Sequence, residues 1–467
     1  MSSITPLQAL KPSQSEWRSE LKSTLSLGWP LILTNLAQTI LTATDLALIG
    51  RLGADSLAAA ALAASFYHAV MIFCLGVVSA VMPLIASTLG ARPHAVREVR
   101  ITIRHGFWIA GLISIPVWLL LWNADSVLIL LGQQPEVARR SLEFMHALQW
   151  ALLPFLGYIV LRSYLNAMQS PIWTLAVGCA AIAFNALAAW CLIFGNLGFP
   201  ALGLTGAGLA SFCSSLLMFG GLALVVSRHR RFRRYHLFGN LFDIDMRRLR
   251  QVWQLGLPVG ATMAFETTIF YAAVVMMGLI GQTALAAHAI AMQIASIGFM
   301  VPLGFGQVAT IRVGRAYGAR DAAGIARAGW SAYALGVGFM VITASLMLFA
   351  PTLLIGLFID IRDPQNADVV QLGAGFLALA ALFQLADGAQ VVGAGMLRGI
   401  HDTRVPMLLA ALGYWGIGLP LGAALAFALD MGGAGVWLGL AAGLGTVAVL
   451  MTRRWMRRGQ HYAIGIP

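Results

Sequence analysis

Twelve separate apolar runs, most of them about 20 residues or longer, constrain this chain more than any other feature. They fall at 25–49, 57–83, 104–122, 142–161, 172–194, 203–226, 255–279, 285–309, 329–350, 371–395, 405–428 and 433–452. A helix needs about 20 such residues to cross the hydrocarbon core of a bilayer, so each run reads as one crossing. Barrel strands do not fit, because the runs do not alternate polar with apolar residues. Composition agrees: 59% of the 467 residues are hydrophobic and 10% are charged, against roughly 25% charged in soluble domains. A water-soluble fold could not hide so much apolar surface. The expected fold class is all-α integral membrane, with twelve transmembrane helices.

An even number of crossings puts both ends on one side. If that side is the cytoplasm, cytoplasmic segments hold 26 of the 30 Lys and Arg, and only Arg51, Arg139, Arg140 and Arg362 face outward. Such a bias sets orientation, so both termini are expected to be cytoplasmic. The formal charge of +12 then reads as loops facing an anionic leaflet. No soluble basic domain is present to bind nucleic acid. Residues 1–23 are polar, with no apolar stretch ahead of a small-residue cleavage site, so the first run is expected to be retained. Cys74, Cys179, Cys191 and Cys213 all lie in apolar runs without CxxC spacing. They read as small core residues, with neither a disulfide framework nor a metal site expected.

The chain also repeats itself. Residues 28–92 align without a gap on 256–320, with sixteen of 65 positions identical, among them Gly28/Gly256, Gly50/Gly278, Gly53/Gly281, Gly76/Gly304 and Gly90/Gly318. Six crossings per repeat is even, so both halves insert the same way up about an axis along the membrane normal. The expected organisation is a tail at 1–23, a six-helix lobe at 24–227, a basic linker at 228–250, a second lobe at 251–452 and a tail at 453–467. Two pseudo-symmetric lobes around a central cleft suit a transporter, most simply as a monomer.

Three of the eighteen acids sit well inside apolar runs: Asp45, Glu266 and Asp387. A charge at mid-bilayer costs about 2.5–3.5 kcal/mol on insertion scales, so such residues tend to face a cavity, bind an ion or carry a proton. A carboxyl in that setting can hold a proton at physiological pH and lose it when a cation arrives, which is antiporter chemistry. A structural hydrogen bond between helices is the alternative for any one of them. Glu266 and Asp387 lie in the second half and Asp45 in the first, and Glu266 aligns with Gln38 in the repeat. A two-carboxylate site is expected in the second lobe and a single-acid site in the first. Asn35, Asn185, Gln38 and Gln384 are polar neighbours within spans, and His288 reads as structural. Phe265, Tyr271, Phe299, Met292 and Phe383 could line a pocket for flat organic cations.

The segments LAQTILTATDLALIG, GLPVGATMAFE and FQLADGAQVVGAGMLRGIHDTRVPM carry a resemblance to a known family. Over about residues 20–455 the chain resembles the multidrug and toxic compound extrusion (MATE) transporters, of the NorM-type bacterial branch. The resemblance implies a multi-pass protein of the bacterial inner membrane. It implies export of amphipathic cationic drugs and dyes in exchange for Na+ or H+, with no cofactor. It further implies that Glu266 and Asp387 bind the coupling cation, Na+ being a possible metal there. Asp45 would carry a proton or contact substrate, with Gln38, Asn185, Gln384 and Phe383 as further substrate-binding candidates. Two positions depart from the pattern: Ala189 and Phe383 stand where relatives often carry Asn and Tyr. Both changes remove an oxygen and shift the balance from sodium toward the proton.

Other readings carry less. A lipid-linked precursor flippase would want a cationic cavity, whereas the deep charges of this sequence read as all acidic. A narrow-substrate metabolite exporter of the same architecture stays open. A membrane enzyme would need a catalytic constellation, and no HExxH, GxSxG or P-loop pattern occurs. A channel fits asymmetric lobes less well than alternating access does.

Overall fold

A computed structural model describes residues 14–130, 132–239 and 242–457. Parts of the expected tails, residues 1–13 and 458–467, lie outside the described residues. Among the described residues the regular structure is all helical, with twelve helices long and apolar enough to span a membrane. They are α1 (Ser15–Gly50), α2 (Asp55–Ala91), α3 (Val96–Trp122), α4 (Pro135–Ala167), α5 (Ile172–Phe194), α6 (Gly203–Arg228), α7 (Met246–Ile280), α8 (Gln282–Gly318), α9 (Ala322–Phe349), α10 (Pro364–Gly399), α11 (Arg404–Ala428) and α12 (Gly432–Met456).

Each apolar run of the sequence lies mainly within one of these helices, but the helices overrun the runs. α1 begins at Ser15 and α8 continues to Gly318, where the runs begin at 25 and end at 309. A helix satisfies its own backbone, so it can continue past the hydrocarbon into the polar boundary without cost. Three irregular points lie near prolines, each of which lacks a donor for the preceding turn, while Pro30, Pro116, Pro258 and Pro302 sit inside unbroken helices. α2 breaks at Ala80, just before Pro83; α4 tightens to a 3-10 turn at Gln149–Ala151, just before Pro154. α11 contains π-helical stretches at Leu412–Gly418 and Ala424–Ala428, on either side of Pro420. Lipid is needed as solvent: only 17% of the apolar window of α7 is buried within the protein.

Two large apolar cores form. One gathers residues of α1 to α6, including Tyr158, Leu161 and Tyr164. The other gathers residues of α7 to α12, including Phe383, Trp437 and Leu444. A small third patch of Leu27, Leu31, Met82, Val308 and Ile311 joins the halves. The linker between α6 and α7 is pinned to the first lobe rather than free. Arg100 Nε donates to Tyr235 O at 2.8 Å, Arg104 Nη1 to Asp243 O at 2.6 Å, and Asp245 N to His105 Nε2 at 2.9 Å. Asp245 then caps α7, its carboxylate accepting from the backbone amides of Arg247 and Arg248.

The lobes meet in register with the sequence repeat. Gly28 of α1 packs on Phe305 of α8, and Gly256 of α7 packs on Val77 of α2. Gly76 lies against Gly260, and Gly304 against Ile32. Every residue of the first contact is 228 positions from its counterpart in the reciprocal one. The duplicated helices are thus also the pseudo-symmetric interface.

Candidate functional site

Between the lobes lies a cavity of about 460 Å³, walled by α1, α2 and α4 on one side and α7, α8 and α10 on the other. Within the repeat the two walls correspond: Gln38 faces the cavity as Glu266 does, and Ser79 as Gln307. The duplication built the cavity, and substitutions within it made the walls chemically different.

On the second wall, Glu266 of α7 meets Gln390 and Arg398 of α10. The amide lies within polar reach of the carboxylate, and the guanidinium is close enough for its charge to act on it. Asp387 lies close to Glu266 but deeper in the lobe, 4% exposed. The hydroxyl of Tyr414, inside the π stretch of α11, lies near both carboxylates. Asp387 Oδ1, Gln390 Oε1 and Tyr414 Oη are buried without a hydrogen-bond partner. A cluster of oxygens from α7, α10 and α11 suits a hard cation or a proton. Gln384 and Phe383 point elsewhere and line neither this cavity nor its neighbour. Gln384 Nε2 donates to Ala295 O at 3.4 Å, and Phe383 packs edge-on against Phe270 and Trp437.

In the first lobe a second cavity of about 200 Å³ adjoins the first, sharing Gln38, Thr42, Leu75 and Arg162 with it. Asp45 lines it. Asn185 Nδ2 and Ser211 Oγ both donate to the Asp45 carboxylate, the latter at 3.2 Å. Ser214 Oγ donates to Asn185 Oδ1 at 2.7 Å and so fixes the amide's direction. Asn185 is fully buried behind Asp45 and supports the acid rather than lining the cavity. Of the residues singled out in the sequence, the fold therefore gathers Asp45, Gln38 and Asn185 in one lobe and Glu266 with Asp387 in the other.

One expectation needs correcting. The deep charges are not all acidic. α4 continues to Ala167 and α10 to Gly399, so Arg162 and Arg398 line the inter-lobe cavity instead of lying in loops. Their apolar runs end before them at 161 and 395, which is why sequence alone placed them outside. Tyr414, Gln390 and the serines 211 and 214 were also missed. Single hydroxyls and amides within apolar runs carry no signal until the partner helices are known.

The interactions joining the lobes gather toward the side of the described ends. Glu20 of α1 pairs with Arg312 of α8 at 2.5 Å, and Glu16 with Arg327 of α9 at 3.5 Å. Arg315 Nη2 donates to Ala167 O at 2.8 Å. His401, between α10 and α11, places Nε2 at 3.1 Å from Ser87 Oγ and 3.3 Å from Pro83 O. Gly90 and Gly318 complete the seal: a Cβ on Gly90 would collide with Arg315 O, and one on Gly318 with Ser87 O. The cavity is therefore closed toward the termini.

With this geometry in hand, comparison with known proteins is specific. The family model MatE matches residues 30–191 and 258–424, one match per lobe. A protein of Brucella suis biovar 1 (strain 1330), "Probable multidrug resistance protein NorM", is 62% identical over 447 residues, covering 96% of this chain and 95% of the relative. A "Multidrug resistance protein NorM" from Burkholderia vietnamiensis is 38% identical over 456 residues, covering 97% of each. Among solved structures, the eukaryotic MATE transporter AtDTX14 superposes with a TM-score of 0.84 at 21% identity, covering 94% of this chain and 96% of that one. A mutant of the Vibrio cholerae MATE transporter VcmN gives 0.84 at 17% identity, covering 95% and 99%.

Proposed function

This chain belongs to the MATE family, and from that premise we propose that it is a secondary active multidrug efflux transporter that exchanges amphipathic organic cations for Na+ or H+. It is a transporter and not an enzyme. The observation that carries the proposal is the neighbouring pair Glu266 and Asp387, the first in the cavity wall and the second buried close behind it. Arg398 can balance one carboxylate of this buried pair, and the other stays charged only with a further cation. They therefore bind a sodium ion or hold a proton, and exchange it as the lobes rock.

Asp45, in the cavity of the other lobe, offers the cationic substrate an acid held in place by Asn185 and Ser211. Arg162 and Arg398 remove one ground for setting a flippase aside, but Glu266 lies beside Arg398 and Asp45 lines the cavity that Arg162 shares, so acids match arginines in the cavity walls. We place the protein in the bacterial inner membrane with both termini cytoplasmic, on the basic-loop bias. The seal then lies on the cytoplasmic side and the cavity faces outward. One chain contains both walls, so a monomer suffices.

The test is dye flux in proteoliposomes of purified protein, with sodium and pH gradients imposed separately. Flux driven by either gradient supports exchange and identifies the coupling ion. Flux indifferent to both refutes coupled transport.

A further inference from the structure

The linker between α6 and α7 carries four arginines within five residues, Arg230 to Arg234, and the fold does not treat them alike. Arg231 turns into the protein, its guanidinium donating to Ser170 Oγ and Met168 O, both at 3.1 Å. Arg233 and Arg234 are exposed, and with Ser227, His236 and Phe238 they line a cavity of about 590 Å³ at the end of α6. Among the described residues no carboxylate pairs with either arginine. The acids of the linker are engaged elsewhere: Asp243 pairs with Arg104 at 2.8 Å, and Asp245 caps α7. Arg234 lies over the ring of Tyr235, 5.2 Å from its centroid, which holds it in place without neutralising it. His236 joins from a left-handed turn, with a φ of 44°.

The same linker carries apolar side chains to the membrane boundary. Phe238 stacks on Phe107 with ring centroids 5.9 Å apart, and Phe242 packs edge-on against Trp108 at 6.3 Å. Phe107 and Trp108 stand at the start of the apolar run of α3, and aromatic side chains favour the edge of the hydrocarbon. Phe242 is nevertheless 86% exposed and Met246 71% exposed within the protein alone. Large apolar side chains left so open between two spans call for lipid around them. Phe238 belongs both to this aromatic contact and to the cavity, so the cavity opens beside the hydrocarbon edge, at the depth of lipid headgroups.

We propose that this cavity binds the headgroup of an anionic phospholipid from the leaflet on the side of the described ends. Arg233 and Arg234 donate to its phosphodiester, for which the guanidinium fork is suited. Ser227 and His236 serve the remaining headgroup oxygens, and the acyl chains pass along Phe238 toward α3. This differs from the diffuse attraction of a basic loop to an acidic leaflet, because two particular guanidiniums carry it. It stands apart from the transport reading and from the coupling ion.

The experiment titrates the purified full-length protein in detergent micelles with phosphatidylglycerol, with phosphatidylcholine of the same acyl chains and with inorganic phosphate, reading bound molecules by native mass spectrometry. The wild type is expected to bind phosphatidylglycerol about tenfold or more tightly than phosphatidylcholine, as two arginines at a membrane surface warrant. Arg233→Gln combined with Arg234→Gln is expected to remove that preference. Arg230→Gln combined with Arg250→Gln takes the same charge from exposed positions outside the cavity and should leave the preference within about twofold. An equal loss in both double variants means diffuse attraction and overturns the proposal. Equal binding of the two lipids by the wild type overturns it as well, whether or not the variants fold. Inorganic phosphate binding as tightly as phosphatidylglycerol would assign the cavity to free anions and overturn the lipid reading.

Discussion

At the scale of single residues, the site is legible where a charge is expensive and obscure where it is not. Asp45, Glu266 and Asp387 stand out in sequence because an acid in an apolar run needs a reason. Tyr414 gives no such signal, since a tyrosine in a span is as readily core as ligand. Only the fold brings its hydroxyl near both carboxylates of the second lobe. Position 383 carries Phe, and Tyr414 brings a hydroxyl near the pair from another helix. Losing a hydrogen-bonding group from a buried polar cluster costs about 1–2 kcal/mol. Tyr414→Phe should therefore raise the coupling-ion concentration for half-maximal flux roughly 5- to 30-fold, with folding unchanged. Ion-dependence curves in proteoliposomes check this, and an unshifted curve removes Tyr414 from the site.

At the scale of elements, the number and order of helices follow from apolar runs of sufficient length, and they agree with the structure. The helix ends do not follow, because a helix continues into the polar boundary on its own hydrogen bonds. That margin hid Arg162 and Arg398, a few residues past the ends of their runs. The repeat was legible too, and its glycines prove to be contact points. Gly90 and Gly318 allow α2 and α8 to touch backbone to backbone near their ends. Gly90→Ala or Gly318→Ala forces overlap with a carbonyl of the other lobe, at a cost of about 1–3 kcal/mol to the closed seal. Faster amide hydrogen exchange in residues 83–91 and 313–320 is the expected result. Protection equal to the wild type would show that the seal does not depend on this close approach.

At the scale of the whole molecule, the rocking proposed above requires a second state open on the sealed side, and the seal holds a titratable group. Burial lowers the pKa of His401 below its usual value, so the neutral ring fits the closed form. Around it are Ser87, the Pro83 carbonyl, the ring of Tyr317 and the charge of Arg248. The open form, with His401 in water, keeps the ordinary value of about 6.5 and takes up a proton first as pH falls. The stabilisation of the seal by His401 is thus present above about pH 6.5 and lost on acidification below it. Exchange at residues 399–403 should quicken between about pH 7 and about pH 5.5 beyond the intrinsic chemical trend, and His401→Asn should remove the excess. A pH-independent seal in the wild type would refute this.

The central claim is that the cation at Glu266 and Asp387 drives export. Its most direct test is uphill flux in proteoliposomes with Asp387→Asn reconstituted at wild-type levels and shown to be folded. The account predicts that gradient-driven flux falls to background, about tenfold or more below wild type. Wild-type flux against a substrate gradient in that variant would contradict it.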